Sequence, residues 1–174
     1  ARIRLLADGI CMAEDKGELQ LTDYGLSGIP VFQISRYASR ALDKGSRVRA
    51  SIDFMPSWKE DEAFRLLKKR AVMLKEKPVG ELFTGMLNRK LAQVLIKLSG
   101  MDPSALCERL GNRQLERILY QLKSYEAIVM SVNPFSNAQV CCGGVDTREV
   151  DPDTMESRIR TGLYLAGELL DVDG

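Results

Sequence analysis

The sequence predicts an α+β chain in which a small helical bundle interrupts β structure. Three observations predict it: apolar and polar residues alternate towards both ends, single apolar stripes at helical spacing fill the middle, and no internal repeat links the parts.

The elements follow in order. Residues 2–6 read as a strand, and residues 18–22 alternate as a half-buried strand does. Residues 24–28, Tyr-Gly-Leu-Ser-Gly, form a glycine-bracketed turn. Pro30 suits the first turn of a helix that carries Val31, Ile34, Ala38, Ala41 and Leu42 inward until Gly45 stops it. Residues 47–54 alternate again, with Val48, Ala50, Ile52 and Phe54 on one face, and Pro56 ends the strand.

The middle is helical. Ser57 and Glu60 have capping-box spacing, and Phe64, Leu67, Ala71 and Leu74 follow on one side before Pro78. Leu87, Leu91, Val94, Leu95 and Leu98 form the next stripe, closed by Gly100. Asp102-Pro103 reads as the start of a short helix ending at Gly111. Asn112 then caps a last one with Leu115, Ile118, Leu119 and Leu122 inward. Three strands are expected after it, at 127–132, at 138–142 running into Gly143 and Gly144, and at 162–167.

Composition narrows the function classes. In 174 residues, 45% are hydrophobic and 28% charged, the balance of a globular chain and not of a disordered tail. No apolar run is long enough to span a membrane as a helix, and no basic-then-apolar leader is visible. Histidine is absent, which excludes Ser-His-Asp and Cys-His nucleophiles and imidazole-ligated zinc. Cys11, Cys107, Cys141 and Cys142 lack the C-x-x-C spacing of a zinc or dithiol site, so reduced thiols and a cytoplasmic location are expected, with the adjacent pair Cys141-Cys142 read as buried thiols in an apolar strand-like run. The chain opens in a strand-like run and stops after an acidic cluster, so it reads as a piece of a longer protein.

The formal charge of +1 hides an asymmetry. Residues 57–125 hold 14 basic against 8 acidic side chains, and residues 126–174 hold 3 against 9. Solvated or mutually facing surfaces explain this most simply. Nucleic acid is the less favoured partner, because residues 84–119 contain no aromatic to stack on a base.

Chemistry is best sought in residues 138–174. Gly143-Gly144 permits close backbone approach, and Gly167-Glu168 places an acid after a strand-like run, where a ribose or ribityl hydroxyl can be held. By spacing alone the signal is weak, and an ordinary turn is the favoured explanation of these residues. The wording adds weight. Ala138-Gln-Val-Cys-Cys-Gly-Gly-Val145, Thr154-Met-Glu-Ser157 and Gly162-Leu-Tyr-Leu-Ala-Gly-Glu-Leu-Leu-Asp-Val-Asp-Gly174 resemble the A-x-V-T-x-G-G-V, T-M-E-S-K and G-L-Y-F-A-G-E-x-L-D-V-D-G runs of one bacterial flavoprotein family. These are NAD(P)/FAD-dependent oxidoreductases that include aminoacetone oxidase-like enzymes. Gly17-Glu-Leu-Gln-Leu-Thr-Asp-Tyr-Gly-Leu-Ser-Gly28 is similar to the family's G-E-x-L-F-T-H-x-G-L-S-G-P.

The resemblance implies an insertion domain, β-barrel-like with a helical bundle, followed by part of a returning FAD-binding segment. The divisions expected are 1–56 (β-rich), 57–125 (helical), 126–137 (return strand) and 138–174 (FAD segment). The implied cofactor is FAD, with NAD(P)H as a second candidate, and Gly143, Gly144, Gly167, Glu168, Asp171, Asp173 and Gly174 match the flavin-binding positions. Tyr24, Gly25, Ser27 and Gly28 are substrate-pocket candidates, and the glycine turn before the helix could offer backbone N–H groups to an anion. Asp23 stands where the family often has His, and Ile29 separates Gly28 from Pro30. No catalytic acid or base is identified. The expected partners are a small-molecule substrate and the rest of the FAD domain. The alternative is a non-catalytic interaction module whose basic helical bundle binds a partner or nucleic acid.

Overall fold

The computed structural model describes residues 1–137 and 143–172 and divides into two units, Ala1–Ser131 and Val132–Gly174. In the first unit, strand β1 (Arg2–Ala7) turns through Asp8 and Gly9, both at positive φ, into β2 (Ile10–Lys16). An Asp-Gly pair suits such a two-residue hairpin because both central positions need that conformation. The Asp8 carboxylate also accepts from the Arg47 N–H at 3.0 Å. A minor hairpin follows, β3 (Gln20–Leu21) and β4 (Leu26–Ser27), and then helix α1 (Ile29–Asp43) and β5 (Val48–Asp53). Helices α2 (Glu60–Met73), α3 (Arg89–Leu98) and α4 (Asn112–Lys123) precede β6 (Tyr125–Val129).

The four long strands make an antiparallel sheet in the order β2-β1-β5-β6. Among the described residues it stays open at β2 and β6, so the expected barrel-like half is an open four-stranded sheet and not a closed barrel; the α+β class itself holds. Period-two alternation puts Ile3, Leu5, Ala7, Val48, Ala50 and Ile52 on one face, and α1 covers them with Ile34, Ala38 and Ala41. The helical region has a second core built on Leu67, Phe83, Leu95, Ile96, Ile118 and Leu122. Phe54 and Tyr125 pack against both cores, their ring centroids 5.9 Å apart, and so couple sheet to bundle.

Several local expectations are corrected. The capping interaction of α2 lies two residues later than Ser57 and Glu60: the Glu62 carboxylate accepts from the Lys59 N–H at 3.0 Å. In α3 the buried stripe is Ala92, Leu95 and Ile96, whereas Val94 and Leu98 are about half exposed. Asn88 starts that helix by accepting from the Lys90 N–H, and packing of Leu95 and Ile96 into the helical core sets which face turns inward. Residues 102–111 form a loop with one 3₁₀ turn at Cys107–Arg109, because the Asp102 carboxylate ties down Ser104 in a tight turn instead of opening a helix. Asn112 is the first residue of α4, not its cap; Gln114 accepts from the Gly111 N–H instead.

The second unit contains 3₁₀ turns at Phe135–Asn137, Thr147–Glu149 and Gly167–Leu169, tied by isolated bridges. Residues 162–167 form no strand; Tyr164 makes a single bridge to Glu156. The strand expected at 138–142, including Cys141 and Cys142, lies outside the described residues. Val150 is the one buried hydrophobic among the described residues of this unit, while Ile159, Tyr164, Leu169 and Val172 are exposed.

Candidate functional site

In the second unit, two sequence-distant glycine segments cross. The Val145 N–H donates to the Leu169 carbonyl and the Asp171 N–H to the Val145 carbonyl, both at 2.9 Å, closing a parallel bridge between Val145 and Leu170. This contact needs a glycine at 144. A Cβ there would stand 2.5 Å from the Leu169 carbonyl oxygen, 2.6 Å from the Leu170 carbonyl carbon and 2.8 Å from the Asp171 nitrogen. All three are backbone atoms, so no side chain can yield to relieve the clash. Gly143 and Gly167, at φ 96° and 73°, instead border open space. Thus Gly143, Gly144, Gly167, Glu168 and Asp171 come together around one backbone crossing. Glu168 and Asp171 are exposed, and no side-chain partner holds either among the described residues. Asp173 and Gly174 lie outside the described residues.

Carboxylates brace the loops leading to this crossing. Asp146 receives the Arg148 guanidinium and the Arg148 N–H, and these hydrogen bonds hold its pKa down to about 2. The Asp151 carboxylate accepts from the Thr154 and Asp153 N–H groups, Thr154 being the stronger influence, which lowers its pKa. The Glu156 carboxylate accepts from the Gly162 N–H at 2.6 Å. Between them Met155 is held at φ 62°, donating its N–H to Asp151 while its carbonyl accepts from Leu165. The Thr154-Met-Glu-Ser157 run is therefore a folding device: three of its residues anchor turns and the fourth adopts a conformation L-residues rarely take.

In the first unit, the other candidate residues form the tip of the β3–β4 hairpin. The Thr22 N–H and hydroxyl both donate to the Gly25 carbonyl at 2.9 Å, leaving Tyr24 exposed at the tip. Gly28 is buried at φ 104°, and a Cβ on it would run into the Glu18 carbonyl. The anion-cradle expectation finds little support in this turn. Pro30 has no N–H, and the Val31 and Phe32 amides donate to the Gly28 carbonyl at 2.9 and 3.1 Å. What the turn offers is an apolar surface: Leu21, Tyr24, Ile29 and Phe32 are all exposed. Sequence reading named Ile29 only as a departure from the family pattern and did not name Phe32, although their i,i+3 spacing beside the turn was the available signal of an apolar surface. No group of three or more His, Cys, Asp or Glu residues able to hold a metal ion occurs among the described residues.

The chain is 42% identical along its whole length to the 3-dehydro-bile acid delta(4,6)-reductase of Clostridium scindens, of which it covers 42%. It is 31% identical to the ribosomal RNA dihydrouridine synthase of Escherichia coli over 90% of the chain and 36% of that protein. The enzyme of the same name from Haemophilus influenzae is 26% identical over 95% of the chain and 39% of that protein. The chain thus spans about two fifths of the length of these curated relatives. The family model described as HI0933-like protein barrel and H2TH domain matches residues 2–140, and with most of its length inside that match, the chain belongs to the HI0933-like family.

Proposed function

We propose that the chain is part of an FAD-dependent oxidoreductase acting on a small apolar molecule. The observation that carries this reading is the backbone crossing of Gly143–Val145 with Gly167–Asp171, where a side chain is excluded at Gly144 and the exposed carboxylates of Glu168 and Asp171 stand beside bare glycine backbone. Such a surface suits a flat, hydroxyl-bearing cofactor, with Gly143 and Gly167 permitting close approach and Glu168 accepting from ribityl or ribose hydroxyls. Asp171, Asp173 and Gly174 would shape the adjoining loop. FAD, when bound, supplies the redox chemistry, and the chain contributes binding, orientation and exclusion of water. NAD(P)H is the proposed source of reducing equivalents.

In this reading, residues 1–56, 57–125 and 126–137 form an insertion domain and residues 138–174 part of the flavin-binding segment. The insertion domain would cover the flavin, with Tyr24, Gly25, Ser27 and Gly28 at the substrate pocket. The exposed Leu21, Tyr24, Ile29 and Phe32 favour an apolar substrate, in keeping with the bile-acid substrate named for the 42% identical relative. The test is flavin affinity in the whole protein: Glu168→Gln should weaken FAD binding about tenfold, the loss expected for one hydrogen bond to a charged group. Unchanged affinity would remove Glu168 from the cofactor site.

A second reading, a binding module on the basic helical region, draws support from the excess of basic residues over 57–125 and from the two relatives named for ribosomal RNA.

A further inference from the structure

The basic residues of the helical region divide into two groups. Some are committed to the fold: the Arg70 guanidinium donates to the Leu82 and Thr84 carbonyls, Arg65 pairs with Asp61, and Lys123 is buried against Asp53. Arg113 and Arg117 have no such commitment, and no acidic side chain pairs with either among the described residues. They lie on α4 with Tyr120 at i, i+4 and i+7, a single face opposite the buried Leu115, Ile118 and Leu122. That face lines a shallow groove with the end of α3, where Ser99 and Gly100 form the far wall. The Arg117 guanidinium lies over Gly100, at φ 79°, its Nη1 3.8 Å from where a Cβ there would stand. Tyr120 is 56% exposed beside the two guanidinium groups. Glu116 stands on the same lining and is the one carboxylate in it.

We propose that this groove binds a single-stranded nucleic acid, Arg113 and Arg117 contacting successive phosphates and Tyr120 stacking on a base. The combination is what such a strand requires: cations spaced along a helix for the backbone, and an accessible aromatic face for a base. The aromatic that the stretch 84–119 lacks stands one residue beyond it, brought alongside the arginines by the helical repeat. A bare phosphate ligand would leave Tyr120 without a role, and an apolar ligand would leave the arginines without one. The inference deepens the second reading above and is independent of the flavin reading.

The experiment is fluorescence anisotropy with the full chain and labelled strands of about 12 uridines or 12 deoxythymidines, over a range of salt concentrations. Binding should weaken with salt, and Arg113→Ala with Arg117→Ala should flatten the log–log slope by about 1.4, from about 0.7 per phosphate on a single strand. Tyr120→Ala should weaken binding about tenfold with the slope unchanged, since stacking releases no counterions. Lys68→Ala with Lys69→Ala, on α2, serves as the control for non-specific charge. The relative affinity of the two strands identifies RNA or DNA as the ligand. If both strands bind but the arginine and tyrosine variants bind as the parent does, this groove is not the site, although the second reading survives. If neither strand binds at low salt, both fail. Unchanged thermal midpoints of the variants ensure that a loss of binding is not a loss of fold.

Discussion

The Lys123 ammonium lies 2.7 Å from the Asp53 carboxylate, and both side chains are more than nine-tenths buried. Lys123 ends α4 and Asp53 ends β5, so this pair fastens the helical bundle to the sheet. The ammonium also donates to the Met55 and Trp58 carbonyls, at 2.8 and 2.7 Å, which uses all three of its hydrogens. Asp53 in turn accepts from the Met55 N–H at 2.8 Å and from Arg2 at 3.4 Å.

Lys123→Met should therefore destabilise the first unit by about 3 kcal/mol, because it leaves a buried carboxylate with only the more distant Arg2 as a cationic partner and takes from the Trp58 carbonyl its hydrogen bond. Urea unfolding measures this. The double variant with Asp53→Asn should recover part of the loss, since the unpaired charge is then gone. A single-variant loss below about 1 kcal/mol would mean that water satisfies the pair's partners.

The register of α3 is open to a direct test. Leu95→Ala removes a fully buried side chain and should cost about 2–5 kcal/mol. Val94→Ser, one position away on the half-exposed side, should change stability by about 0.5 kcal/mol or less. Equal costs at the two positions would show that the helix turns a different face inward.

Gly144→Ala and Gly143→Ala should differ in kind. At 144 the new methyl meets backbone atoms, so the Val145–Leu170 bridge should open and the Val145 and Asp171 amides lose protection against hydrogen exchange. At 143 the methyl meets open space and only the positive φ opposes it, a cost of about 1 kcal/mol with the bridge kept. Retained protection in Gly144→Ala would contradict the crossing.

The Asp146–Arg148 clasp predicts acid sensitivity in the second unit. The folded pKa, about 2, lies below the ordinary 3.8, so ionised Asp146 favours the folded turn. That contribution is complete above about pH 4 and is lost as pH falls through the folded value near 2. Chemical shifts of the Arg148 amide followed from pH 5 to pH 2 should report the transition, and Asp146→Asn should abolish it. Because the pair is exposed, the effect should be confined to this turn and shrink with added salt.

Part of this architecture was legible because it rests on local chemistry. Pro30 and Gly45 bracket α1 as expected, and the alternation of residues 47–54 correctly named Val48, Ala50 and Ile52 as core. The β1–β2 hairpin escaped notice although Asp8-Gly9 marked it, because β2 exposes Ile10 and Met12 and so lacks the alternation of a half-buried strand. The stripe of α3 was read in part: Leu87, Leu91 and Leu95 do pack in the helical core, whereas Val94 and Leu98 are half exposed and Ala92 and Ile96 are buried instead, a choice made only by contacts with the other helices.

By itself the sequence determined the α+β class, the order of β and helical regions, and the family's glycine and acidic motifs, since each is set by neighbours within a few residues along the chain. It could not determine that Gly144 lies beneath Leu169 and Asp171, or that Tyr120 stands with Arg113 and Arg117 over Gly100. Those juxtapositions join residues far apart in sequence or on different helices. They exist because burying one apolar face and satisfying every backbone N–H and C=O leaves the folded chain few ways to bring such segments together.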